Sequence, residues 1–161
     1  MENLGRGLGR GLENLERWRR IAVRVKLLIR EPKSGREIVT NALVNSGFET
    51  LTIKILIPKN LANELGLWPV PADASVVSLE SSGGEVGLYL IKNGVMVKLY
   101  GEDMDFVMCD VLVSTIEREV LISDKLASAL KIVLEDPGEG LRRLRTDPPD
   151  RLRRSEELQE W

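Results

Sequence analysis

The ten residues NALVNSGFET (41–50) decide how this chain is read. Leu43 and Val44 close an apolar run, and Asn45-Ser46-Gly47 follows at once as a short polar turn. Glycine at the third place lets the backbone pack closely there. The segments on either side determine whether the turn is a plain loop or a site.

Upstream, IAVRVKLLIR (21–30) alternates apolar with basic residues, which is strand patterning. EPKSG (31–35) is turn chemistry, and REIVTNALV (36–44) reads as the returning strand of a hairpin. Downstream, TLTIKILIP (50–58) is a third alternating strand stopped by Pro58. KNLANELGL (59–67) then reads as a short helix closed by Gly66. ASVVSLESSGGEVGLYLIKNGVMVKLYG (74–101) reads as consecutive hairpins, with tips near Ser81-Ser82-Gly83-Gly84 and at Asn93-Gly94. DFVMCDVLV (105–113) is a buried strand, EVLI (119–122) another, and DKLASAL (124–130) a second short helix with Asp124 as its expected amino-terminal cap. Asp110 reads as a strand-edge residue, and Trp68 as packing over the first helix.

Two of these stretches repeat. LIPKNLANELGL (56–67) lies on LISDKLASALKI (121–132), and LVNS (43–46) lies on LVST (112–115). Each half thus reads strand, turn, strand, short helix. A duplication of this kind predicts a pseudo-two-fold axis inside the domain.

Composition bounds the chemistry. The 161 residues suffice for one domain with tails, and 43% hydrophobic content fits a packed fold. A net charge of −2 and 4% aromatics argue against nucleic acid as a partner. With no histidine, Ser-His-Asp and Cys-His nucleophile systems and histidine-ligated metals are excluded. The single cysteine, Cys109, sits in an apolar run and reads as core. It leaves no disulfide within the chain and no thiolate metal cluster, and makes a reducing, cytoplasmic setting the expectation. No cofactor or metal is expected. No signal peptide is evident, and the apolar stretch near residue 21 is too short and too charged to span a bilayer. Residues 1–19, built on a Leu-Gly-Arg-Gly repeat, read as a flexible basic tail. The alternative is an amphipathic segment that orders weakly on an anionic membrane or acidic partner. Residues 136–161 read as a charged, peripheral tail with a short terminal helix.

In order, the chain presents an apolar pair and a turn of Asn-Ser-Gly form, then a glycine-bearing hairpin, an apolar strand, and an apolar pair leading into a short helix. Over residues 20–135 this order resembles the retropepsin-like (retroviral-type) aspartic proteases in their microbial and archaeal flavour. The resemblance implies an all-β domain: a closed barrel or sandwich with internal pseudo-two-fold duplication and one or two short helices. It implies a homodimer with one catalytic turn per subunit and a peptide or protein substrate. Asn45, Ser46 and Gly47 occupy the catalytic turn, with Asn45 where the family has aspartate. Ser81, Ser82, Gly83, Gly84 and Glu85 occupy the flap over the substrate. Ser123 stands where the family has glycine.

The family's reaction needs two facing carboxylates that share one proton, so that one activates a water while the other donates to the substrate carbonyl. Asparagine keeps the shape and can orient a water, but it is no base. The chain as written is therefore expected to be an inactive aspartic endopeptidase. An inactivating substitution is favoured over a natural pseudoenzyme, because Ser46, Gly47 and the flap glycines remain. The alternative function is a non-catalytic peptide-binding or dimerisation module of the same fold.

Overall fold

The structure, a computed structural model, describes residues 22–45, 48–81 and 84–161. The hairpin expected at the start forms β1 (Arg24–Arg30) and β2 (Glu37–Val44), paired antiparallel from Arg24 opposite Leu43 to Arg30 opposite Glu37. Alternation sends Val25, Leu27 and Ile29 fully inward and leaves Lys26 exposed. The chain continues through β3 (Lys54–Pro58), α1 (Lys59–Glu64), β4 (Ser75–Ser81), β5 (Gly84–Leu99), β6 (Val107–Ser114), β7 (Val120–Ile122) and α2 (Asp124–Ala129). The strands neighbour one another in the order β1-β2-β7-β3-β6-β5, and β5 returns to pair with β1. Six strands thereby close a barrel, and β4 lies outside it against the first half of β5. Closure leaves no open edge within the ring.

The sequence repeat appears in the strand register. Leu43 pairs with Leu121 and Val44 with Ile122 in the parallel contact of β2 with β7. Their repeat equivalents do the same: Leu112 pairs with Leu56 and Val113 with Ile57 in the parallel contact of β6 with β3. Across the middle, Leu56 pairs antiparallel with Leu121, each with its own repeat equivalent. The helices also correspond. Leu61 and Ala62 of α1 are buried as Leu126 and Ala127 of α2 are, and the residues after each helix, Gly66 and Lys131, both have positive φ, 77° and 62°. The sequence repeat thus recurs in the register of the barrel's strands.

Inward-facing Ile55, Ile57, Val95, Val97, Val111, Val113 and Ile122 fill the barrel, joined by Leu61, Leu65, Leu126 and Leu130 from the helices. A smaller cluster of Leu56, Leu88 and Leu112, with Phe48, Leu90 and Leu121 packed against it, lies apart from that core.

Three expectations are corrected. Asn93-Gly94 is not a hairpin tip: β5 runs on through it, with a register shift against β6 between Ile91 and Val95. Asn93 takes φ 50° there and its N–H donates to Asp110 Oδ1 at 2.9 Å. A Cβ at Gly94 would lie 2.8 Å from Val111 Cγ2, so the glycine serves close strand approach rather than a turn. The cap of α2 is Ser123, not Asp124. Its buried Oγ accepts from Leu126 N–H at 3.1 Å and from Lys54 N–H at 3.2 Å.

The third correction concerns residues 136–161, which form no terminal helix and carry short strands instead. β8 (Ile132–Asp136), a 3₁₀ turn (Pro137–Glu139), β9 (Leu141–Leu144) and β10 (Arg153–Arg154) build a second sheet in the order β10-β9-β8. Its charges find partners. Arg153 grips Asp147 with two hydrogen bonds, at 2.8 and 2.9 Å, and also binds Glu102. Buried Arg142 donates to the carbonyls of Arg24 and Arg154. Burial holds the Arg142 guanidinium below its usual range.

Candidate functional site

β2 ends at Val44, whose N–H donates to Val23 O at 2.9 Å. Asn45 follows, so the first residue of the turn leaves the barrel exactly one residue beyond the parallel contact of β2 with β7. Its N–H reaches toward Ile122 O at 3.5 Å, and its carbonyl accepts from Phe48 N–H at 3.0 Å. Ser46 and Gly47 lie outside the described residues. The loop beyond is pinned by two carboxylates. Asp124 Oδ1 accepts from Thr50 N–H at 3.2 Å, and Asp124 N–H donates to Phe48 O at 3.0 Å. Asp110 Oδ2 accepts from Thr52 Oγ1 at 2.9 Å. Asp110 and Asp124 thus hold the segment that leaves the turn.

Asn45 borders a cavity of about 880 Å³ whose lining includes Leu43, Val44, Leu121, Leu134 and Leu158. That volume and apolar lining suit a ligand rather than a lone water. Arg24 and Glu119 form an ion pair in its wall, with Nε 2.5 Å from Oε1 and both side chains largely buried. Glu119 is thereby committed to a guanidinium. Ile116, Glu117, Arg118 and Glu160 also border the cavity.

The expected flap residues divide. Ser81 ends β4 opposite Gly84 at the start of β5, with Glu80 opposite Glu85, so these stand at the end of one hairpin. Ser82 and Gly83 lie outside the described residues. Trp68 packs edge-on to Tyr89, ring centroids 5.5 Å apart, with Lys59 Nζ of α1 over its ring at 5.2 Å. Cys109 is buried, and burial, with Asp110 beside it, pushes its thiol up to about 12.

Sequence reasoning missed Arg24, Glu119 and Leu158. Arg24 looks like its neighbours Lys26 and Arg30 on the outward side of β1, and only the C-terminal segment packed over it distinguishes it. Leu158 lies in a stretch whose charge conceals its docking. Among the described residues no group of three or more Cys, Asp or Glu side chains is placed to hold a metal ion. Among them, too, no helix is long and apolar enough to cross a membrane.

No protein-family model matches the chain, and no curated protein matches it.

Proposed function

We propose that this chain is the subunit of a homodimeric, retropepsin-like aspartic endopeptidase, with its catalytic turn at Asn45-Ser46-Gly47 and its chemistry silenced by the asparagine. The observation that carries the reading is the position of Asn45: one residue past the β2–β7 contact of a closed barrel, at the wall of a largely apolar cavity. A carboxylate at that point has a cavity for substrate beside it, and a second subunit supplies the second carboxylate. The pair then shares one proton, so that acid and base arise from one residue type.

With asparagine at both positions, the amides orient a water without deprotonating it. Loss of general-base help alone costs roughly 10²–10⁴-fold. As it stands, the site binds extended peptide without cleaving it. Asn45→Asp restores cleavage of extended peptides at acidic pH, and a transition-state mimic such as pepstatin blocks it. A folded, dimeric Asn45→Asp protein that cuts nothing in a broad peptide library overturns the reading.

The second reading is a non-catalytic peptide-binding or dimerisation module of the same fold, favoured by the asparagine itself and by the commitment of Glu119 to Arg24. Peptide affinity unchanged by Asn45→Asp, with no turnover, selects it.

A further inference from the structure

Residues 155–161 lie along the barrel as a strap, and their contacts are segregated along it. Ser155 Oγ accepts from Arg24 N–H at 2.7 Å and donates to Ala22 O at 2.9 Å. Glu156 N–H donates to Arg24 O at 2.9 Å. Glu157 O accepts from Asn41 Nδ2 at 3.0 Å, and Gln159 Oε1 accepts from Asn41 N–H at 2.9 Å. Trp161 closes the series: its N–H donates to Arg118 O at 2.8 Å and its indole N–H to buried Thr40 Oγ1 at 2.9 Å. Beyond Glu157 the odd-numbered residues fasten the strap, and the two between them, Leu158 and Glu160, border the cavity beside Asn45.

Leu158 is the telling residue. It is 41% exposed although both its neighbours are hydrogen-bonded down. An apolar side chain held at a cavity wall by polar anchors on either side fills no core position. It offers contact to whatever enters.

We infer that this strap is a wall of the ligand cleft, and that Leu158 on it sets which side chain the cleft accepts. The inference rests on the peptide reading above and adds its selectivity. Leu43, Leu121 and Leu134 line the same cavity, so the group accepted is a large apolar side chain of an extended peptide. The strap selects by volume: enlarging Leu158 shrinks the space, and trimming it opens the space.

The test uses the full chain. A randomised peptide library is panned against the Asn45 protein and digested with its Asn45→Asp variant, each carrying Leu158, Leu158→Ala or Leu158→Trp. With Leu158, selected peptides share a large apolar residue at one position. Leu158→Trp shifts that position toward alanine and valine by on the order of ten-fold. Leu158→Ala broadens it, which keeps the test intact should the tryptophan variant fold poorly. The same preference in all three proteins removes the strap from the cleft while leaving peptide recognition standing. No peptide bound or cut by any of them overturns the peptide reading, and the strap's role with it.

Discussion

Leu56 on β3 stands directly opposite Leu121 on β7, its equivalent in the sequence repeat. Their surroundings differ. Leu56 is 5% exposed within the smaller apolar cluster, whereas Leu121 is only partly buried and also borders the cavity. Equivalence in the repeat thus coexists with asymmetry of use. Leu56→Ala is expected to cost about 2–5 kcal/mol, the ordinary cost of emptying a buried leucine site. Leu121→Ala should cost distinctly less. Urea unfolding of both variants checks the order.

The helix ends make a second, sharper comparison. Lys131 holds φ 62°, a region costly for a residue with a Cβ, where its repeat equivalent is Gly66 at 77°. Lys131→Gly is expected to stabilise by about 0.5 kcal/mol, the relief of strain slightly exceeding the added entropy of the unfolded chain. Gly66→Ala should destabilise by roughly 1–2 kcal/mol. A Cβ there also meets Arg36 Nη1 at 3.1 Å. Opposite signs in thermal unfolding are the expected outcome.

Asp147 is an acid-sensitive contact beside the second sheet. Hydrogen bonds from Arg153 and from Leu144 N–H lower its carboxyl from 3.8 to about 2. A carboxylate lowered on folding adds stability that is fully present above its unfolded value. That stability drains away as pH falls from near 4 through about 2. Asp147→Asn should cost about 1.5–3 kcal/mol at neutral pH, where a charged hydrogen-bond partner is lost. It should also flatten the stability profile in that acid window, as read by denaturant titrations at each pH.

Cys109 gives a direct check on the core. With its thiol buried and raised to about 12, it should resist alkylation by iodoacetamide at pH 8 in the folded chain and react readily in denaturant. Mass spectrometry after a timed quench reads the difference.

How far the sequence carried depended on the period of its pattern. Alternation in residues 24–30 and 37–44 marked the hairpin, and the Leu-Ile repeats at 56 and 121 marked both helices. Asn93-Gly94 misled because the same dipeptide that makes a tight turn also makes a bulge, and only Val111 against Gly94 chooses between them. The C-terminal segment misled for a different reason. Charge suggested solvent, yet Arg153 binds nearby Asp147 and distant Glu102, and Arg142 binds the distant carbonyl of Arg24. No local pattern announces partners so remote. The placement of Leu158 was illegible for the same cause, because distant Asn41 of the barrel fastens its neighbours.

The most direct test of the proposed function is the specific activity of the Asn45→Asp protein on a peptide pool, followed across protein concentration at acidic pH. A site completed by two subunits predicts cleavage whose specific activity rises with concentration and levels off as dimer saturates. Absence of cleavage at every concentration, or an activity that stays constant down to concentrations where sedimentation finds only monomer, contradicts it.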